Sequence, residues 1–155
     1  MSEAVGREAF VEAHVRWNVS DLEGFLALLE DDVVYVVNID GIGYAASANG
    51  KHELRRRLRL LLEMFVVNAF VPETIVHGPD CSRSTVLGYY KHKATGERLD
   101  IKVRFVAWMR NGLIWRMEEH HDAAYVAAFQ RFVSFIEATV HQQAECEVGK
   151  PSGLQ

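Results

Sequence analysis

Cysteine is scarce in this chain: 155 residues carry two, Cys81 in a predicted turn and Cys146 near the C-terminal end. Their separation rules out the short spacing of a metal knuckle or a redox pair, and free thiols fit a reducing, cytoplasmic setting. Basic charge is not in excess either. Seventeen Lys and Arg stand against 21 Asp and Glu, a formal charge of −4, so nucleic acid is not an expected partner. The one basic cluster, Arg55, Arg56, Arg57 and Arg59, alternates with Leu54, Leu58, Leu61, Leu62 and Phe65 at helical spacing. That pattern predicts a solvated helix face. No apolar run is long enough to cross a membrane. Leu60 to Val71 is short and is interrupted by Glu63 and Asn68. The first ten residues lack a basic start followed by an apolar run, so neither a secretory signal nor a membrane partner is expected. There is no internal repeat.

What is present is an ordinary globular composition, 49% hydrophobic and 25% charged. It predicts a single domain over residues 1–142, followed by a flexible tail at 143–155. Apolar residues at helical spacing predict a first helix over Glu3 to Trp17. Ser20 and Glu23 form a capping-box pattern that predicts a second helix, ended by Asp31-Asp32. Val33 to Ile39 is β-branched and aromatic, a strand with Val33, Tyr35 and Val37 on one face. A loop through Gly41 and Gly43 is expected next, then a third helix from about Gly50 to Phe65. Strands follow near Val67–His77, Arg83–Lys93, Arg98–Arg110 and Leu113–His121, the last three joined by Thr95-Gly96 and Asn111-Gly112. From Asp122, which can cap it, a final helix continues to about His141 with Val126, Phe129, Val133, Ile136 and Val140 as its apolar side, flanked by Phe132 and Phe135. Helices followed by an antiparallel sheet give an α+β architecture with a pocket between helices and sheet.

The stretch Ile114-Trp-Arg-Met-Glu-Glu-His-His-Asp122 carries the densest chemistry. Alternation puts Trp115, Met117, Glu119 and His121 on one face of the strand and Arg116, Glu118 and His120 on the other. A two-residue turn at Asn111-Gly112 would set Arg104 opposite Glu119. A three-residue loop would instead set Phe105 opposite Met117, Val103 opposite Glu119 and Arg104 opposite Glu118. The second register is expected, because it gathers Leu99, Ile101, Val103, Phe105, Trp115 and Met117 on the inner side. Glu119 and His121 then point into an apolar interior, where a carboxylate is costly unless paired, protonated or used, and where its pKa should rise. Tyr35, Tyr90 and His92 join them as polar groups of the cavity, with His14 and Trp17 at its rim. Glu119 is the candidate general base; His121 can donate to it or to a developing oxyanion, and Tyr35 or Tyr90 can donate a hydrogen bond to that oxyanion. No metal is expected, since His120 faces away and His92 lies two strands from His121, roughly 10 Å at ordinary strand spacing. Trp108 and Tyr89 fall on the outer face with Arg104 and Lys102, a mixed surface suited to a second subunit.

The helix, the run Asp21-Leu-Glu-Gly-Phe-Leu-Ala-Leu-Leu-Glu-Asp-Asp32-Val-Val-Tyr35, the glycine before a helix at Gly50, and Asn111-Gly-Leu-Ile114 leading to Asp122 together form a familiar order. The chain resembles the SnoaL-like and ketosteroid-isomerase-like branch of the nuclear transport factor 2 superfamily over about Val5 to Tyr125. The resemblance implies a cone-shaped α+β barrel, with a curved antiparallel sheet closed by N-terminal helices and an extra C-terminal helix. It also implies a homodimer, and a cavity for an apolar small-molecule ligand that needs no cofactor. The positions holding the oxyanion and moving the proton in steroid isomerases correspond to Ala13, about Phe105, and Val37, which can serve here only as apolar lining. Similarity to limonene-type epoxide hydrolases places their water-activating aspartate at Glu119 and a tyrosine at Tyr35, while their arginine and second aspartate correspond to Val86 and Gly88. Two functions follow as expectations. The first is cofactor-free acid–base chemistry of isomerase, dehydratase, cyclase or hydrolase type; the second is a non-catalytic module that holds a ligand or assembles in the same fold.

Overall fold

The computed structural model describes the backbone of residues 2–39, 43–122, 131 and 133–142, and the side chains of 7–38, 47–122, 131 and 133–142. In chain order the elements are α1 (Ser2–Asn18), α2 (Leu22–Leu26), β1 (Leu29–Ile39), β2 (Gly43–Asn49), α3 (Lys51–Met64), β3 (Phe65–His77), β4 (Cys81–His92), β5 (Arg98–Arg110) and β6 (Leu113–His121). Residues 131 and 133–142 are helical. Val126, Phe129 and Phe132 of the expected last helix, Gly41 of the expected loop, Cys146 and the tail lie outside the described residues.

The strands form one six-stranded sheet in the order β2-β1-β6-β5-β4-β3. The α+β reading holds, with the refinement that the sheet is mixed and open: β1 and β6 run parallel, and every other pair is antiparallel. The inner face alternates strictly along β4 and most of β5, where Leu99, Ile101, Val103, Phe105 and Ala107 are buried and their neighbours are not. Against that face lies α1. Phe10, Leu26, Leu29, Phe65 and Ile114 are each at most 1% exposed. Burial of side chains this large is worth ~1.5–3 kcal/mol each. No described helix is long and apolar enough to cross a membrane.

Four local expectations change. Asp21, not Ser20, caps α2: Ser20 takes φ 58, while the Asp21 carboxylate accepts from the Gly24 N–H at 2.9 Å. Glu23 is drawn away from any capping box by Arg55, whose Nε reaches it at 2.9 Å. Helix α2 ends early, so β1 begins at Leu29 rather than Val33. Gly43–Asn49, expected as part of a loop, is an edge strand held by its ladder with β1. Gly50, with φ 89, then turns the chain into α3 in a conformation that favours glycine.

The β5–β6 register is the fourth. Asn111 (φ 54) and Gly112 (φ 78) form a two-residue turn with both central residues left-handed, so Arg110 faces Leu113 and Met109 faces Ile114. A bulge follows, with Trp115 and Arg116 together opposite Trp108, and beyond it Ala107 faces Met117, Phe105 faces Glu119, Arg104 faces His120 and Val103 faces His121. The true register is thus displaced by two residues from the expected one. An even displacement keeps every side chain beyond the bulge on its face. Trp115 is the exception, since the extra residue turns it to the outer side, where the Arg110 guanidinium lies 5.1 Å from its ring centroid. On the same outer face Arg98 lies over Tyr89 and Arg116 over Trp108.

Candidate active site

Between α1, α3 and the inner sheet face lies a cavity of about 360 Å³. This is toward the small end of the range for ligand pockets. Its wall is overwhelmingly apolar. Ala13, Trp17, Tyr35, Val37, Tyr90, Ile101, Val103, Phe105, Met117, Glu119 and His121 all line it, as the alternation of strands β1, β4, β5 and β6 requires. Two expected residues do not. Trp115 is on the outer face because of the bulge. His92 sits outside the lining, its Nδ1 2.8 Å from Thr95 Oγ1 and its ring stacked on Phe135 at 4.1 Å.

Parallel pairing sets Tyr35 beside Met117 and Val37 beside Glu119. From there the Tyr35 hydroxyl reaches diagonally to donate a hydrogen bond to Glu119 Oε1. His121 Nε2 lies 2.9 Å from Glu119 Oε2. Burial, reinforced by the negative charge of Glu119, pushes the Tyr35 phenol well above its ordinary pKa, so the phenol keeps its proton and Glu119 accepts. A carboxylate oxygen accepts, so with its proton on Nε2 His121 is the second donor. The arrangement is one carboxylate held by two donors, its side chain 20% exposed and that of His121 3%.

Tyr90 is a second phenol in the same wall. Its oxygen accepts from the Trp17 indole N–H at 2.8 Å. Burial raises its pKa, the Trp17 bond opposes that rise, and the charge of Glu119 adds to it. Tyr90 is therefore also a neutral hydroxyl, in the electrostatic field of the carboxylate.

His14 lines the cavity too, but both ring nitrogens bond to protein. Nδ1 is 2.7 Å from the Phe10 carbonyl, to which it must donate, which leaves Nε2 to accept from Ser84 Oγ–H at 2.8 Å. Burial lowers its pKa against the partly opposing carbonyl bond. The ring is a neutral structural strut between α1 and β4.

Sequence reasoning missed several lining residues. Ser47 and Ala48 come from the unexpected strand β2, and Leu54, Leu58 and Leu61 from the apolar side of α3. Arg57, read as solvent-facing, also lines the cavity; its position three residues after Leu54 was the available signal. Val133 and Ile136 of the C-terminal helical residues complete the wall, so that segment covers the cavity. Among the described residues no three His, Cys, Asp or Glu side chains gather in a metal-binding arrangement.

A family model for the SnoaL-like domain matches residues 7–117. The chain belongs to the SnoaL-like domain family. No curated protein matches the sequence significantly. Solved structures that resemble it include an isomerase candidate from Bacillus subtilis, 17% identical with a TM-score of 0.69, aligned over 84% of this chain and 96% of that one. A SnoaL-like polyketide cyclase candidate from Mesorhizobium loti is 21% identical, with a TM-score of 0.61 over 78% of this chain and 100% of that one. TerC, co-crystallised with polyporic acid, is 18% identical with a TM-score of 0.68 over 84% of this chain and 98% of that one. At these identities the likeness is one of fold, and fold does not select a reaction.

Proposed function

We propose that this SnoaL-like protein is a small-molecule enzyme performing cofactor-free acid–base chemistry on a mostly apolar ligand, with Glu119 as the general base. The observation that carries the reading is the Tyr35–Glu119–His121 cluster in the wall of an otherwise apolar cavity. In a carbonyl substrate, Glu119 removes a proton from the carbon beside the carbonyl. The electron pair of the broken C–H bond moves to the carbonyl oxygen, and the neutral phenol of Tyr90 stabilises the resulting enolate by hydrogen bonding. Where the substrate carries a double bond between its β and γ carbons, the enolate is a conjugated dienolate; return of the proton from Glu119 to the γ carbon, as the oxygen's electron pair re-forms the carbonyl, moves the double bond into conjugation and completes an isomerisation. Tyr35 and His121 hold the carboxylate in one orientation, so its basic oxygens need no reorganisation when the ligand arrives. The neighbours named as isomerase and cyclase candidates support the same broad class.

The test is deuterium uptake from D2O into a panel of apolar cyclic ketones such as 2-tetralone, read by mass spectrometry. The protein should accelerate exchange, and Glu119→Gln should lose ~10²-fold or more of that acceleration. Equal exchange rates from two proteins that both bind the ketones would refute the base. A second reading, a module that only holds its ligand, is favoured by one observation: both oxygens of Glu119 already accept hydrogen bonds from protein groups. A homodimer through the outer sheet face around Tyr89 and Trp108 accompanies either reading and is checked by light scattering.

A further inference from the structure

Helix α3 carries Lys51, Arg55, Arg56, Arg57 and Arg59 against Glu53 and Glu63, although the whole chain is acidic. Two of these cations are engaged outside the cavity, Arg55 with Glu23 and Lys51 with Asp31. Arg57 differs from both, because it lies in the cavity wall among Leu54, Leu58 and Leu61. Its side chain is 47% exposed, so it borders both the cavity and water; in an arginine so placed the apolar stem can follow the wall while the guanidinium reaches solvent. Nη2 donates to Glu53 Oε1 at 2.7 Å, while the other oxygen of Glu53 accepts from the Asn49 N–H at 3.2 Å. A guanidinium presents five N–H donors in a rigid fork, so a single contact with Glu53 leaves geometry for a second oxyanion.

We propose that Arg57 makes the cavity selective for amphipathic organic anions, with an apolar body inside and a carboxylate or equivalent anion at the mouth. The proposal rests on the reading of this cavity as a ligand site and is independent of whether Glu119 does chemistry. Arg57 belongs to the α3 part of the wall and Glu119 to the sheet part, and a ligand carboxylate is attracted by a guanidinium but not by a second carboxyl group. The ligand's anion therefore belongs at Arg57, and its carbon skeleton extends toward Tyr35, Tyr90 and Glu119. That orientation presents C–H bonds rather than the charged group to the carboxylate.

The experiment uses the full chain with N-phenyl-1-naphthylamine as a neutral fluorescent occupant, displaced at neutral pH by decanoate or by decan-1-ol. Decanoate should displace it at lower concentration than the alcohol. Arg57→Met, which keeps an apolar stem, should weaken decanoate by ~10-fold, the scale of one charge-assisted hydrogen bond, and leave decan-1-ol unchanged. Glu53→Gln should strengthen decanoate, because it removes the carboxylate that competes for the guanidinium. Decanoate no better than the alcohol, or an equal change for both in Arg57→Met, overturns the proposal. Failure of the neutral naphthylamine to bind at all would instead overturn the cavity as a ligand site, and this proposal with it.

Discussion

Tyr35 and Glu119, 84 positions apart, meet as donor and acceptor across the parallel pair of strands β1 and β6. The bond joins a buried phenol to a partly buried carboxyl group, so its loss is felt in stability as well as in the orientation of the acid. Tyr35→Phe should lower the free energy of unfolding by ~1–3 kcal/mol, measured by urea titration. An unchanged midpoint would show that the contact contributes nothing.

His14 gives the fold a pH dependence of defined sign. Its folded pKa is depressed below the ordinary 6.5 by burial, so the unfolded chain takes up a proton there before the folded one does. Stability from this residue is complete above pH 6.5 and falls as the pH drops from that value toward the depressed folded pKa. Urea unfolding across mildly acidic pH should show the gap between the wild type and His14→Asn shrinking as acid is added. A gap that stays constant would mean that His14 does not titrate differently in the two states.

The Trp17–Tyr90 bond predicts an asymmetry between two variants. Tyr90→Phe leaves the buried indole N–H of Trp17 without its phenolic acceptor, at a cost of ~1–3 kcal/mol. Replacing both partners with Phe removes the orphan and should cost less than the two single changes added together. A double-mutant cycle by thermal or urea unfolding reads the coupling directly.

Phe135 fastens the C-terminal helical residues through its stack on His92, and its ring also lies 6.3 Å from that of Phe65. Phe135→Ala removes aromatic contacts worth ~0.5–1.5 kcal/mol beyond their area. Amide exchange over residues 133–142 should quicken while β4 and β5 stay protected. Uniform loss of protection would mean that this segment is part of the global unfolding unit.

The inner and outer faces of β5 and β6 were legible because Ile101, Val103 and Phe105 alternate with charged residues, and burial of one face is a strong constraint. That alternation placed Glu119 and His121 on the inner side, and the alternation of β1 placed Tyr35 with Val33 and Val37; the bond from Tyr35 to Glu119 was not part of the expectation. The pairing register was not legible. Asn111-Gly112 accommodates a two-residue turn or part of a longer loop, and a bulge downstream compensates the difference, so the same inner face follows from either. Trp115, at the bulge itself, is where the two solutions diverge. Strand β2 was hidden because Ala45, Ala46, Ser47 and Asn49 have little intrinsic preference for extended structure; the ladder with β1 supplies it. Arg57 was hidden by its own chemistry, since a long side chain can belong to a water-facing row and still lay its stem along a cavity.

Because the phenol comes from the first strand and the acid from the last, neither half of the chain contains the reactive pair. During synthesis Tyr35 emerges early and must wait until β6 has left the ribosome before it acquires a partner. Contacts this distant along the chain form late and slowly. Any cut between the two strands should therefore abolish the centre unless both pieces reassociate, which makes complementation of split fragments a direct report on completed folding.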